Sequence, residues 1–291
     1  MRPTQAILSD LFCTKNGRPD LSLLLDKVRR NRGLDFRLYR KGTLERRVQS
    51  RLRATGCAHY GDYLLYLNRE PKEYDRLLNV LTINVTEFFR DPEVFERLDQ
   101  TVIPQIVRSK KERGLRSIRA WSAGASDGEE TYSLAILLRE AVSRQRLDFK
   151  IKVYGTDLDP NCIEAAKRGI YGRKRLKKIQ GPLLEKYFRQ EGEDFVIRED
   201  IRRLTEFKAQ NLISEAAPST LDLILCRNVL IYFTQPLQDA ICYFFSKALQ
   251  EGGYLVMGKV ESLRGKAMEA FEAVDIRERI YRKRQGQGGL L

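Results

Sequence analysis

The chain has 291 residues, 53 of them Lys or Arg against 39 Asp or Glu, giving a net charge of +14 and a pI near 9.6. That length buries a large core and suits two domains, and the basic surface calls for an acidic partner: nucleic acid, anionic lipid or an acidic protein face. No apolar run reaches the roughly 18 residues of a membrane span, and MRPTQAILSDLF lacks the apolar centre of a signal peptide, so a cytoplasmic protein with no direct membrane insertion is expected. Five scattered cysteines (Cys13, Cys57, Cys162, Cys226, Cys242) without C-x-x-C spacing argue against disulfides and a zinc site. The single histidine, His59, reads as structural, which removes most metal and histidine-base chemistry.

Residues 1–77 read as an all-helical domain. Leu21, Leu24, Leu25 and Val28 recur at helical spacing, as do Leu44, Val48 and Leu52, and a Tyr/Leu-rich helix follows over Tyr60–Asn68. Residues 78–115 form a linker and connecting helix. From 116 to 284 strands and helices alternate: strands at 116–123, 151–157, 204–209, 221–227 and 253–258, helices at 128–144, 160–168, 181–189 and 235–250. Asp159-Pro160 is a helix start, and Gly252-Gly253 is read as the end of the 235–250 helix. Asp194–Arg203 reads as an inserted antiparallel hairpin or a surface loop, with the insertion placed near 194–209. The alternation over 274–284 suggests an edge strand, and 285–291 a flexible tail. The fold class is therefore α/β, with ligands expected at the C-terminal strand ends.

The stretch RAWSAGASDGEETYSLAILL (119–138) joins an apolar strand to a helix through a loop of small residues. Such a loop lets backbone N–H groups approach a nucleotide cofactor. Only Gly124 and Gly128 are glycine, and Asp127, Glu129 and Glu130 crowd the helix start. Three carboxylates repel a pyrophosphate and suit a phosphate-free cationic cofactor, for which S-adenosylmethionine has the right charges. An alternative is a capping box, with Asp127 as N-cap and Glu130 at N3. KVYGTDLDP adds a strand ending in Asp157, placed to hold ribose hydroxyls.

Two further segments complete a set of four at the strand ends. LTINVTEFFR (81–90) sets Asn84, Thr86 and Arg90 in an apolar stretch. CRNVLIYF (226–233) follows the buried strand LDLIL, with Arg227-Asn228 facing the pocket and Tyr232 close behind. Each has a structural alternative: a helix cap for Asn84 or Thr86, a turn for the Asp, a satisfied core hydroxyl for the Tyr.

LTINVTEFFRDPEVF, WSAGASDGEETYSLA, YGTDLDPNCIEAAKRGIY, LDLILCRNVLIYF and YLVMGKVESL, in that order over about residues 20–284, resemble the chemotaxis receptor glutamate O-methyltransferase family, CheR. The resemblance implies a Rossmann-like S-adenosylmethionine-dependent methyltransferase sheet with helices on both faces, a small antiparallel hairpin insertion and an all-α N-terminal domain. It implies transfer of a methyl group to glutamates in the cytoplasmic methylation region of a chemoreceptor, leaving S-adenosylhomocysteine, with no metal. Asn84, Thr86 and Arg90 match the family's cofactor-contacting N-x-T-x-x-x-R, Glu129 a cofactor-binding acid and Asp157 the ribose acid. Asn211-Leu212 and Asn228-Val229 match pairs beside the adenine. Arg90 and Tyr232 match residues nearest the reacting methyl, which makes them the catalytic candidates.

The family also meets its acidic receptor with a basic N-terminal helix. Here that helix carries Arg40, Arg47 and Arg51 on one side with Arg46 and Arg53 adjacent, although a plain solvated face has the same composition. Asp127, Thr131 and Lys259 stand where the family commonly has a small hydroxyl residue, proline and histidine. The short hairpin turn at Gln190–Asp194 lacks the extra glycines of members that tether to a receptor C-terminal pentapeptide, so a pentapeptide-independent enzyme is expected, acting as a monomer. Two rivals differ in their marks. A nucleic-acid methyltransferase would carry D/N-P-P-Y/F or a nucleophilic cysteine with a proline partner where Cys226–Leu230 stands, so no nucleic-acid substrate is expected. A non-catalytic cofactor-binding adaptor would not need Arg90 and Tyr232.

Overall fold

The computed structural model describes residues 20–82, 84–212 and 217–285. The chain forms two units: residues up to Ile83 with Tyr232–Thr234, and Asn84–Ile231 with the chain from Gln235. Of the tail expected at 285–291, residues 286–291 lie outside the described residues, as do residues 1–19 with Cys13.

Four helices make up the described part of the first unit: α1 (Leu21–Arg32), α2 (Lys41–Thr55), α3 (Tyr60–Arg69) and α4 (Lys72–Leu81). The side chain of Asp20 caps α1 by accepting from the Ser22 and Leu23 N–H groups, and Gly33 ends it at φ 73°. The stripes Leu21/Leu24/Leu25/Val28 and Leu44/Val48/Leu52 are buried, as their spacing predicts. Exposed His59 opens α3 by donating its backbone N–H to the Asp62 carboxylate at 3.2 Å. Beneath the helices lies fully buried Glu73, which accepts from Arg51 Nε (2.8 Å) and Nη2 (2.9 Å) and from the Tyr63 hydroxyl (2.8 Å). Burial, with Glu73 second, pushes the Tyr63 phenol well above its ordinary pKa.

The second unit begins with α5 (Pro92–Arg97), a π-helical turn and α6 (Ile103–Glu112). It then alternates through β1 (Ser117–Ala123), α7 (Glu129–Arg144), β2 (Lys150–Asp157), α8 (Pro160–Arg168) and β3 (Ile170–Gly172). Next come α9 (Gly181–Tyr187), β4 (Phe188–Glu191), β5 (Asp194–Ile197), α10 (Glu199–Arg202) and β6 (Thr205–Ala209). The unit closes with β7 (Leu221–Cys226), α11 (Gln235–Ala248), β8 (Leu249–Met257), β9 (Phe271–Asp275) and β10 (Ile280–Lys283).

Seven strands pair in the order β6-β2-β1-β7-β8-β10-β9. The first five run parallel, and β10 is antiparallel to both of its neighbours. Side chains alternate across the sheet: Ile118, Ala120, Leu223 and Leu225 join the core that contains Leu134 and Ile136 of α7. Trp121 of β1 meets Phe245 of α11, with ring centroids 5.4 Å apart. Both faces are covered by helices, which places the parallel strand ends at one rim.

Four local expectations are corrected. The hairpin is β4–β5 with a two-residue turn at Gly192-Glu193, and its second strand also pairs with β3; residues 199–202, read as part of the hairpin, form a helical turn. The 181–189 helix ends at Tyr187 because Phe188 is buried as the first residue of β4. The edge strand at 274–284 is instead a hairpin: Asp275 accepts from the Glu278 N–H at 3.1 Å, Ile276 is an exposed turn residue, and β10 lies inside β9. Gly252-Gly253 do not end α11, which stops at Ala248. They lie within β8, where the register against β7 shifts and a Gly253 side chain would fall 3.1 Å from the Leu221 carbonyl.

At the N-terminal end of β7, buried Asp222 accepts from the Arg119 N–H at 2.9 Å, pairs with Lys110 Nζ at 2.8 Å and bonds Gln250 Nε2. Asp222→Ala leaves a buried ammonium and a strand N–H without their acceptor. Urea unfolding is expected to show a loss of about 3–5 kcal/mol; a loss under 1 kcal/mol by the same scale would contradict this role.

Candidate functional site

The loop between β1 and α7 has its shape because only small residues fit it. Gly124 has φ 88°, and a Cβ there would sit 2.3 Å from Val229 Cγ2. Gly128 has φ 97°, with Ala166 Cβ 2.8 Å from the place a side chain would take. The loop is tied to the end of β2. Gly124 and Ala125 donate to the Thr156 carbonyl at 2.8 and 2.9 Å. Ser126 N–H donates to Asp157 Oδ2 at 2.8 Å, and Asp159 N–H to Asp157 Oδ1 at 3.0 Å. Desolvation raises the Asp157 pKa, opposed by these N–H groups.

The Asp157 carbonyl accepts from Gln210 N–H at 2.7 Å, which holds Asn211-Leu212 just past the end of β6. Asp159 caps α8 through the Asn161 N–H, as expected, and accepts from Asn84 Nδ2 at 3.0 Å. Ser133 of α7 accepts from the Phe89 N–H at 2.9 Å, which fixes the segment carrying Thr86 and Arg90. Arg90 is half-buried; its Nη1 donates to the Val85 carbonyl at 3.1 Å and its charge acts on Glu130.

The acids at the head of α7 divide their roles, and the capping alternative does not hold. The N-cap is Gly128, and no side chain caps the helix. Glu130 accepts from the Ser122 hydroxyl at 2.9 Å and pairs with Arg227 at 3.3 Å. Arg227, expected to face the pocket, is instead buried between two acids, its Nη2 lying 2.5 Å from Asp91. Burying that guanidinium is sustained by the two carboxylates that neutralise it.

Glu129 is fully buried. One of its oxygens, Oε1, is 2.5 Å from Arg175, which also reaches Asp127 Oδ2 at 2.7 Å. The other, Oε2, is buried without a hydrogen-bond partner. Burial pushes the Glu129 carboxyl up to about 7, with Arg175 pulling against it.

Asn228, at φ 60°, follows β7 and also keeps a buried, unpartnered acceptor in Oδ1. Glu261 holds this loop, accepting from Gly258 N–H (2.7 Å), Asn228 N–H (3.0 Å) and Ile231 N–H (3.1 Å). Sequence reasoning passed over Glu261; the signal was an acid three residues past Gly258, where a side chain would fall 2.8 Å from Asn228 N. The three departures also find places. Asp127 pairs with Arg175, Thr131 is buried against Gly155, and exposed Lys259 pairs with Glu93 at 3.3 Å. Cys226 is fully buried, and desolvation holds its thiol well above the ordinary pKa, so it is no nucleophile.

Tyr232 belongs to the helical unit. Its carbonyl accepts from Arg40 N–H at 2.8 Å, and the Arg47 guanidinium lies 5.5 Å from its ring centre. Arg47 Nη1 also donates to the Val80 and Leu81 carbonyls, and Arg51 is held by Glu73. Arg40, Arg46 and Arg53 are exposed.

Gly124→Ala is expected to destabilise by about 2–4 kcal/mol, from the left-handed backbone and the collision with Val229 together. In denaturant titrations Gly124→Ala/Val229→Ala should recover part of that loss; a double variant no more stable than the single would show that Val229 is not the obstacle.

Residues 84–280 match the family model described as CheR methyltransferase, SAM binding domain, and residues 19–82 the one described as CheR methyltransferase, all-alpha domain. The chain is 31% identical over 253 residues to a chemotaxis protein methyltransferase of Borreliella burgdorferi, covering 85% of this chain and 89% of that one. A Salmonella typhimurium protein of the same description is 34% identical, over 80% of this chain and 83% of its own. Chemotaxis protein methyltransferase 2 of Pseudomonas aeruginosa is 32% identical, over 84% and 87%. With both domain models matched in order over most of its length, the chain belongs to the CheR methyltransferase family.

Proposed function

We propose that the protein transfers the methyl group of S-adenosylmethionine to glutamate side chains of a chemoreceptor's cytoplasmic methylation region, releasing S-adenosylhomocysteine. The observation that carries this reading is a pair of unpartnered acceptors, Glu129 Oε2 at the head of α7 and Asn228 Oδ1 on the loop after β7. Buried polar atoms ordinarily have partners, and these two accept donors of different charge. Glu129 suits an ammonium and Asn228 a neutral N–H, which an amino acid and an adenine supply at opposite ends of this cofactor. Asp157, at the end of β2 beside the loop after β1, is the candidate for the ribose hydroxyls, with Asn84, Thr86, Asn211, Leu212 and Val229 assigned to the rest.

The cofactor, when bound, supplies a methyl group activated by a sulfonium. The chain's task is to bring a carboxylate to it. A glutamate is ionised at neutral pH and needs no general base, in keeping with a chain whose one histidine opens a helix. Positioning alone supplies roughly 7–11 kcal/mol of barrier reduction. Arg90 and Tyr232 are assigned that role, Arg90 steering the carboxylate without binding it so tightly that the ground state gains equally. Of the basic helix, Arg40, Arg46 and Arg53 are exposed to attract an acidic helical bundle, whereas Arg47 and Arg51 hold the helical unit together. We place the reaction in the cytoplasm and treat the receptor pentapeptide as unnecessary, on the two-residue turn of the β4–β5 hairpin.

Labelled cofactor incubated with a receptor cytoplasmic fragment should give label that alkali releases as methanol. Alkali-stable label would point to methylated nitrogen and overturn the ester reading. Arg46→Glu/Arg53→Glu should raise KM for the receptor and reduce its salt dependence with kcat unchanged, whereas Arg51→Ala should lower Tm. An unaltered KM and salt dependence in the first variant would return the helix to a plain solvated face. Glu129 attracts a cation only when ionised, so its raised pKa sets the sign of the pH dependence. S-adenosylhomocysteine affinity should be about tenfold weaker at pH 6 than at pH 8, because only ~10% of a group titrating near 7 is ionised one unit below. In Glu129→Gln that slope should vanish; the wild-type slope persisting there would assign it to another group.

A further inference from the structure

Arg175 stands outside every segment singled out by the sequence, in the exposed basic run that follows β3. Its Nη1 alone reaches two carboxylates, Asp127 Oδ2 at 2.7 Å and Glu129 Oε1 at 2.5 Å. The two acids differ in depth: Glu129 is fully buried and Asp127 is 19% exposed, while Arg175 is 41% exposed. The Asp127 backbone cannot retreat, because its carbonyl accepts from the Tyr171 hydroxyl at 2.7 Å and Gly128 packs on Ala166. Two carboxylates are thus held within reach of one nitrogen, and with no cation between them they repel. The deeper acid is the one with least solvent to relieve that repulsion, so it would take up a proton first.

We infer that Arg175 is a positioning residue of the cofactor site: it neutralises Asp127 and fixes Glu129 by Oε1, leaving Glu129 Oε2 as a single ionised acceptor for the ligand's ammonium. The three groups together carry one net negative charge, which matches one ammonium. This rests on the proposed S-adenosylmethionine reading and deepens it. Asp127 adds to the need for Arg175: with a neutral residue at 127 the repulsion disappears, while the burial of Glu129, the larger effect, still calls for the Arg175 charge.

The test is calorimetric titration of the purified full chain with S-adenosylhomocysteine and, separately, with 5′-methylthioadenosine, which lacks the amino-acid end. Arg175→Ala should weaken S-adenosylhomocysteine by on the order of tenfold or more, the worth of a charged hydrogen-bonding partner, and leave 5′-methylthioadenosine unchanged. Unchanged methylthioadenosine binding also shows that the variant is folded. Asp127→Asn/Arg175→Ala should regain part of the lost affinity, because the repulsion is removed while the burial of Glu129 is not. Equal affinity of wild type and Arg175→Ala for S-adenosylhomocysteine, or a double variant no better than the single, overturns the inference. If wild type binds neither compound, the cofactor reading itself fails, which is a separate result.

Discussion

The site depends on carboxylates that hold loops by their backbone N–H groups. Asp157 takes Ser126 on one oxygen and Asp159 on the other, so the loop after β1 and the loop after β2 share one anchor. Glu261 does the same for the loop after β7, with three N–H donors between Gly258 and Ile231. A strand ends with N–H groups unpaired, and side-chain carboxylates at the rim accept from them and from the loops that follow. Loops fixed in this way keep φ values near 49° at Ser126 and 60° at Asn228, which a free loop would relax.

That anchoring sorts the charges. Arg227 and Glu130 neutralise one another behind the loops, with Asp91 as the second acid on Arg227. Asp127 and Arg175 form a pair at the rim. Glu129 is left with one oxygen engaged and one not. In the proposed site a single unsatisfied carboxylate oxygen, rather than three free acids, offers a cation a directional contact instead of a diffuse negative field.

Much of this was legible in the sequence because the relevant signals are local. The small-residue loop, the strand ending in Asp157 and the Asp159-Pro160 helix start each follow from residue type and spacing, and each is where it was expected. The hydrophobic stripes of α1 and α2 are buried as their period requires. The misses are long-range. Nothing near Arg227 says that Asp91, 136 positions away, neutralises it. Nothing near Arg175 marks it, because its partners lie 46 and 48 positions upstream in the chain. Residues 170–172 gave too short a run to read as a strand, yet β3 is half of what holds β5. Gly252-Gly253 carried the right composition for a helix end and served a strand irregularity instead, because glycine answers both needs.

The unpartnered oxygen of Glu129 is what a cationic ligand end would meet in the proposed site. Calorimetric titration of S-adenosylhomocysteine into wild type and into Glu129→Gln at pH 8 addresses it most directly. Saturable one-to-one binding by wild type, weakened at least about tenfold in the variant by loss of a charged partner, is the predicted result. Equal affinity in both proteins would contradict the account.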